Sequence, residues 1–228
     1  MPNTEKVKAI IPLPREWDNK FVLVATEWGL VKKTSLSEYK NVKQSGIRGI
    51  KLQDGDNIVT VSISDGSKDL LLCSTSGKVI RFAEEDCRPV GRVSQGVKGI
   101  TIDREKEKVI GMEIIDDNVE ILSVTQNGFG KRTISSEYRK QSRGGKGVIG
   151  MKLTDKNGDI VQIKPVSDKE DLMVITDKGQ VIRIKISGIS LIGRNTQGVK
   201  LIRLKDEEKV VAVEKIFEEE DSSSSDEG

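Results

Sequence analysis

Two glycine registers with one shared period constrain this chain more than any other feature. One runs through Gly29, Gly77, Gly128 and Gly179, at spacings of 48, 51 and 51 residues. The other runs through Gly46, Gly96, Gly147 and Gly198, at 50, 51 and 51. Four segments align on them: "ATEWGLVKKTSLSEYKNVKQSGIRGIKL" from Ala25, "STSGKVIRFAEEDCRPVGRVSQGVKGITI" from Ser74, "TQNGFGKRTISSEYRKQSRGGKGVIGMKL" from Thr125 and "TDKGQVIRIKISGISLIGRNTQGVKLIRL" from Thr176. A period of this length means one supersecondary unit built several times over.

Each unit reads as four strands. In the second they are "NIVTVSI", "DLLLCST", "KVIRF" and "VKGITI", rich in Val, Ile, Leu and Thr and bounded by Gly, Asp, Asn and Ser. The middle two meet at a hairpin signal, "SG", "NG" or "KG", where glycine supplies the positive φ of a tight turn. The first unit begins early, because "VKAIIPL" at 7–13 is in register with "NIVTVSI", "KVIGMEI" and "DIVQIKP"; one further strand of this type, "KVVAVEKI" at 209–216, follows the fourth unit. About seventeen strands and no useful helical periodicity predict an all-β, propeller-like fold. Its four four-stranded repeats of about 50 residues fall near 7–52, 58–102, 109–153 and 160–204, with the final strand after them.

The basic residues keep the same register. Four residues after each hairpin glycine stand Lys33, Arg81, Arg132 and Arg183, with Lys32 and Lys131 beside two of them. Two residues after the loop glycine come Arg48, Lys98 and Lys200, where the third unit has Ile149. Four residues before it come Arg92, Arg143 and Arg194, with Lys43 one place later in the first unit. Charge repeated with the period of the fold makes a belt, and a belt of cations suits a polyanion.

The stretch "KQSRGGKGVIG", 140–150, contains G-x-G-x-x-G from Gly145 to Gly150. A dinucleotide turn would need a helix after it, whereas "VIGMKL" is a strand by register with "IRGIKL" and "VKGITI". The expectation is a mobile loop with exposed backbone, where Arg139, Lys140, Arg143 and Lys146 bind phosphates together with main-chain N–H groups. Gln141, Gly144, Gly145 and Gly147 belong to the same candidate site.

Composition narrows the chemistry. The chain has no histidine, which excludes Ser-His-Asp and Cys-His nucleophile systems. Cys73 and Cys87 are the only cysteines and form no C-x-x-C, so neither a metal site nor a cofactor is expected. The N-terminus lacks an apolar h-region, and no stretch reaches about 18 consecutive apolar residues, which predicts a cytoplasmic location, nucleoid-associated if the polyanion of the belt is DNA. The last eleven residues, "EEEDSSSSDEG", carry six acids and no base, and read as a disordered acidic tail at 218–228. Residues 1–217 then carry net +8, a basic globular domain. Aromatic residues, at 4%, are too few for a single-strand stacking platform.

"QSRGGKG" at 141–147 resembles the gyrase-box heptapeptide Q-R-R-G-G-K-G, with Ser142 in place of one arginine. Together with "VATEWGLVKKTSLSEY", "TQNGFGKRTISSEY" and "ITDKGQVIRIKISGISLIGRNTQGV", it makes the chain similar to the C-terminal domain of DNA gyrase A subunits. The resemblance implies a β-pinwheel, here the last four blades of a six-bladed disc, open or truncated, whose neighbouring blades exchange a strand. It also implies sequence-nonspecific binding and bending of double-stranded DNA around a basic rim, as part of a supercoiling enzyme. The partners would be the gyrase A N-terminal region and the gyrase B subunit. The domain would not itself be an enzyme, since the catalytic tyrosine and the ATPase lie in other domains. Tyr39 and Tyr138 both sit in "SEY" at one repeat position, which assigns them to packing. Two alternatives stay open at this point: the related domain of topoisomerase IV, and a protein-interaction propeller with an acidic partner.

Overall fold

The computed structural model describes residues 7–217. Fifteen strands fall into four antiparallel sheets. The strands are β1 (Phe21–Thr26), β2 (Leu30–Ser35), β3 (Ile58–Ser64), β4 (Asp69–Ser74), β5 (Lys78–Ala83), β6 (Val97–Lys98), β7 (Val109–Ile115), β8 (Glu120–Thr125), β9 (Phe129–Ile134), β10 (Val148–Ile149), β11 (Ile160–Val166), β12 (Glu170–Thr176), β13 (Val181–Lys185), β14 (Val199–Lys200) and β15 (Val210–Phe217). Each sheet is one blade of a propeller. Their strand orders are β3-β1-β2-β6, β10-β5-β4-β7, β11-β8-β9-β14 and, for the fourth, β13-β12-β15.

The blades are not the sequence units. Each central hairpin takes its inner strand from the start of the next unit and its short outer strand from that unit's glycine loop. Thus β1 and β2 pair with β3 on one side and with β6 on the other. Strand exchange accounts for the difference between seventeen expected strands and the fifteen observed among the described residues. Their counterparts in the second unit, β3 and β6, pair with the first unit's hairpin, whereas neither the "VKAIIPL" segment at 7–13 nor the first unit's loop segment at 46–50 is a strand here.

The cores lie between blades. Along β4, Leu70 and Leu72 enter the cluster shared with the first blade, while Leu71 and Cys73 enter the cluster shared with the third. This is the two-residue alternation of a strand buried on both faces. A third cluster joins Leu122 and Val124 of β8 to Leu172 and Val174 of β12. The inner strands pack in series, β3 on β7, β7 on β11 and β11 on β15, so the blades follow one another along an arc.

The two glycine registers are the two halves of one inter-blade contact. The carbonyl of Gly29 accepts from the N–H groups of Gly99 and Ile100; Gly77 does the same for Gly150 and Met151, and Gly128 for Leu201 and Ile202. A Cβ at Gly77, where φ is +79°, would stand 2.7 Å from the Met151 carbonyl, and one at Gly147 would stand 2.6 Å from the Val79 carbonyl. Glycine is needed in both places for close backbone approach as well as for positive φ.

Candidate nucleic-acid interface

The cations four residues past each hairpin glycine do not form a surface belt. The Lys33, Arg81 and Arg132 side chains are only 5%, 7% and 8% exposed. Lys33 Nζ lies 2.8 Å from Glu84 Oε1 and 4.2 Å from the centre of the Phe21 ring. Arg81 bonds Asp69 at 2.7 Å, Asp117 and the Ser135 carbonyl. Arg132 bonds Glu120 at 2.6 Å, Asp168 and the Ile189 carbonyl at 2.8 Å. Their main chains serve the same joint, for the carbonyls of Lys33, Arg81 and Arg132 accept from the N–H groups of Val90, Gln141 and Ile192 in the next unit. The cause is geometric. The position pairs across the hairpin and faces the following unit, so a long cationic side chain there is enclosed and must be neutralised. Only Arg183, 58% exposed and 2.5 Å from Asp171, keeps an open head, because no unit follows it among the described residues.

Lys32 and Lys131 are also buried rather than presented. Lys131 Nζ donates to the carbonyls of Gly193 and Arg194 and to Thr196 Oγ1, holding the fourth unit's loop. Lys32 Nζ donates to Thr34 Oγ1 and, at 2.8 Å, to the Gly49 carbonyl. Burial lowers both ammonium pKa values to about 8, and repulsion from Arg92 adds to the fall at Lys32.

The remaining predicted residues lie on loops that stack into one continuous edge. Arg92, Arg143 and Arg194 each reach back to a carbonyl of the previous loop: Arg48 at 3.4 Å, Lys98 at 3.2 Å and Ile149 at 2.7 Å. The N–H groups of Lys51, Thr101 and Lys152 reach forward to Ser94, Gly145 and Thr196. The box-like loop is therefore pinned, contrary to the expectation of a mobile one. Gln141 and Gly144 have spent their N–H groups on Arg81 and Gly99, and Gly144 also accepts from Thr101 Oγ1. Among these loop glycines, Gly147 serves the strand insertion described above. No helix follows, so the G-x-G-x-x-G match has no dinucleotide-binding context.

Pinning leaves the cations on the outside. Lys43, Arg48, Lys98, Arg139, Lys140, Arg143, Lys146 and Lys200 are exposed, while Arg92 and Arg194 are half-buried. Lys140 is tied to Asp69 at 2.6 Å. The four loops, 39–49, 87–99, 138–150 and 189–201, contain twelve Lys and Arg residues and no Asp or Glu. The structure thus divides these basic residues into a buried set, with Lys33, Arg81 and Arg132 matched by carboxylates and Lys32 and Lys131 by carbonyl and hydroxyl oxygens, and a largely exposed set on acid-free loops. Such loops can hold phosphate oxygens through side chains that already stand in one row.

One set of functional positions escaped the sequence reading. Asp56, Glu107, Asn157 and Glu208 keep the repeat period and are all buried. Asp56 accepts from the Trp28 N–H, and Glu208 from Thr176 Oγ1 at 2.6 Å. Burial would raise the Glu107 carboxyl, but bonds from Ser76, Lys78, the Asp103 N–H and Ser74 hold it at about 2. These groups anchor the turn that carries the chain from a loop into the next inner strand. Their signal was a polar residue 27–30 positions after each hairpin glycine.

A family profile described as DNA gyrase C-terminal domain, beta-propeller, matches residues 20–65, 68–116, 120–167 and 170–216, one span for each blade. The chain belongs to this gyrase C-terminal propeller family. Among curated relatives, the DNA gyrase A subunit of Haemophilus influenzae is 38% identical over 96% of this chain and 28% of its own length. That of Salmonella typhimurium is 41% identical over 97% of this chain and 25% of its own. The chain thus spans about a quarter of the length of these gyrase proteins. A crystal structure of the C-terminal domain of DNA topoisomerase IV superposes with a TM-score of 0.87 at 27% identity, covering 95% of this chain and 68% of that one. A DNA gyrase A C-terminal domain superposes at 0.80 over 90% of this chain and 68% of its own, and at 23% identity it shares the fold.

Proposed function

We propose that the stacked loops form a rim that binds double-stranded DNA without sequence preference and bends it, as the contribution of this domain to a supercoiling gyrase. The observation that carries this reading is the row of exposed cations on four acid-free loops, ordered by periodic hydrogen bonds between successive loops. Lysine and arginine on a rigid edge contact the phosphates, which position a duplex without reading its bases. A curved arc of such loops follows DNA only if the duplex bends, at a cost of about 1–6 kcal/mol for 40–90° over 20–30 base pairs. Several blades must therefore contribute contacts. Within a gyrase assembly the partners would be the gyrase A N-terminal region and the gyrase B subunit, in the bacterial cytoplasm.

The test is energy transfer between dyes on the two ends of a roughly 40-base-pair duplex at saturating protein. The unaltered chain should bring the ends together. The Arg139→Ala, Lys146→Ala variant, which removes two exposed heads from one loop, should leave them farther apart while retaining most of the affinity. A parent protein that binds but never shortens the distance would overturn bending. One that shows no binding at low salt would overturn the whole reading.

A further inference from the structure

Each internal joint of the arc carries a lysine, delivered from one of two sides. The loop glycine of a unit sits over a main-chain carbonyl of the preceding hairpin. A Cβ at Gly96, Gly147 or Gly198 would stand 2.7, 2.6 or 2.8 Å from the carbonyl oxygen of Val31, Val79 or Gly130. The residue after that carbonyl is Lys32, Ile80 or Lys131, and the residue before the glycine is Gln95, Lys146 or Gln197. Where the hairpin has lysine the loop has glutamine, and where the hairpin has isoleucine the loop has lysine. Ile80 is 0% exposed, so an aliphatic side chain fills the position beneath a loop. Packing alone does not call for lysine there.

The buried ammonium of Lys131 has oxygen partners but no counter-charge. Its Nζ donates to the carbonyls of Gly193 and Arg194 and to Thr196 Oγ1, and among the described residues it is in no ion pair. Two charged groups face it, Glu137 just past β9 and Arg194 on the loop, while its cross-strand neighbour on β8 is the neutral Ser123. Glu137 is itself engaged by the Arg194 N–H at 2.8 Å. Drawing the Arg194 carbonyl inward turns the next N–H, that of Asn195, outward, because the peptide is trans. That N–H has no partner among the described residues, and Asn195 is exposed. The loop thus offers a main-chain donor on its outer side with a positive charge behind it. An anion held there would supply the missing counter-charge.

We propose that Lys131 is a phosphate-positioning residue of the DNA rim, supplying from beneath the loop at 189–201 the charge that Lys146 supplies on the loop at 138–150. Lys32 plays the same part beneath the loop at 87–99. This inference rests on the DNA-binding role proposed above and names further residues of that surface. Lys32 Nζ meets Thr34 Oγ1 and the Gly49 carbonyl; Arg92 and Glu38 are the charged groups that face it, and the Tyr39 hydroxyl shares that carbonyl. Burial holds both ammonium groups at about 8. A bound phosphate favours the protonated form and raises that value. The affinity these lysines contribute is therefore complete well below their free value and is lost as pH rises through the bound one.

Moving the charge across the joint tests this in the full-length chain. Lys131→Ile should bind a roughly 40-base-pair duplex about five- to thirtyfold more weakly near pH 7, the effect of one unit charge roughly 8 Å from a phosphate at an effective dielectric of roughly 20–40. Lys131→Ile, Gln197→Lys, which copies the pairing of Ile80 with Lys146, should recover most of that loss, although the loop oxygens lack their donor in both variants. Circular dichroism confirms that the proteins compared are folded. The unaltered chain should lose affinity between about pH 7 and 9.5, whereas moving both charges (Lys32→Ile, Gln95→Lys, Lys131→Ile, Gln197→Lys) should flatten the profile, because exposed lysines titrate near about 10.4. Parent-like binding by Lys131→Ile overturns the proposal. So does a folded double variant that Gln197→Lys does not rescue, since Lys131 would then only hold the loop. A flat pH profile in the unaltered chain, which needs no variant, overturns it as well. An unaltered chain that binds no duplex at low salt overturns the DNA-binding reading itself, and this inference with it.

Discussion

Replacing Arg132 with methionine separates a structural cation from a DNA-contacting one. The guanidinium is enclosed and bonds Glu120 at 2.6 Å, Asp168, and the Ile189 carbonyl at 2.8 Å. Removing one partner of a buried ion pair costs about 3–5 kcal/mol when the other charge stays enclosed. Here Glu120 and Asp168 are 21% and 66% exposed, so water recovers part of that loss. The Ile189 carbonyl, by contrast, loses its side-chain donor, worth about 1–3 kcal/mol. The sum falls near 3 kcal/mol, or roughly 6–12 °C in melting temperature for a domain of this size. The same change at Arg183 removes a head that is 58% exposed but leaves the 6% exposed Asp171 without its guanidinium, and should cost about 1–3 kcal/mol. Thermal melts of the two variants measure both losses. Duplex affinity, measured well below either melting point, should change less than twofold for Arg132→Met. An unchanged melting temperature, or a loss of DNA affinity in fully folded protein, would refute the division into buried clamps and exposed contacts.

Further outcomes follow from the same geometry. Gly77→Ala should destabilise the domain more than Gly179→Ala in thermal melts, because both carry positive φ but only Gly77 also meets a carbonyl at 2.7 Å. Burial raises the Glu113 carboxyl to about 7, against the pull of Lys164 and Lys215 and with Glu214 adding to the rise. The folded state therefore favours its protonated form, and that stabilisation, complete below about 4.5, is lost as pH climbs through 7. Glu113→Gln should then gain on the order of 1–3 kcal/mol over the parent at pH 8 and nothing near pH 4, measured by denaturant unfolding. Truncation after Phe217 removes six acids, which lie outside the described residues, and should raise duplex affinity below about 50 mM salt, where screening is weak.

The fold was legible because its joints depend on glycine. A Cβ at three of the four positions in either register would collide with backbone, and all eight glycines have positive φ, so the period survives in the sequence as two rows of one residue. Strand exchange was not legible from those rows, since a strand's pattern shows that it is half-buried and not which hairpin it joins. That ambiguity placed a strand at 7–13. The cations were legible as periodic but not as buried. Lysine and arginine suit an exposed strand face and an enclosed ion pair equally, and an acid twelve residues earlier marks the ion pair but not its burial. Asp69, Glu120 and Asp171 stand there before Arg81, Arg132 and Arg183, while Phe21 stands there before Lys33. The loop cations other than the half-buried Arg92 and Arg194 are exposed, among neighbours rich in glycine and small polar residues that do not enclose them.

The salt dependence of duplex binding probes the rim most directly. Lys98, Lys146 and Lys200 are exposed on three successive loops. If each holds one phosphate, replacing all three with alanine should reduce the slope of log affinity against log salt by about 2.7, three times the roughly 0.9 expected per contact. Melting temperature should stay within about 2 °C of the parent, since among the described residues the three side chains make no hydrogen bond or ion pair and only the contact of Lys200 Nζ with the Phe129 ring, at 5.7 Å, is lost. An unchanged slope in the folded triple variant would contradict the assignment of the DNA surface to these loops.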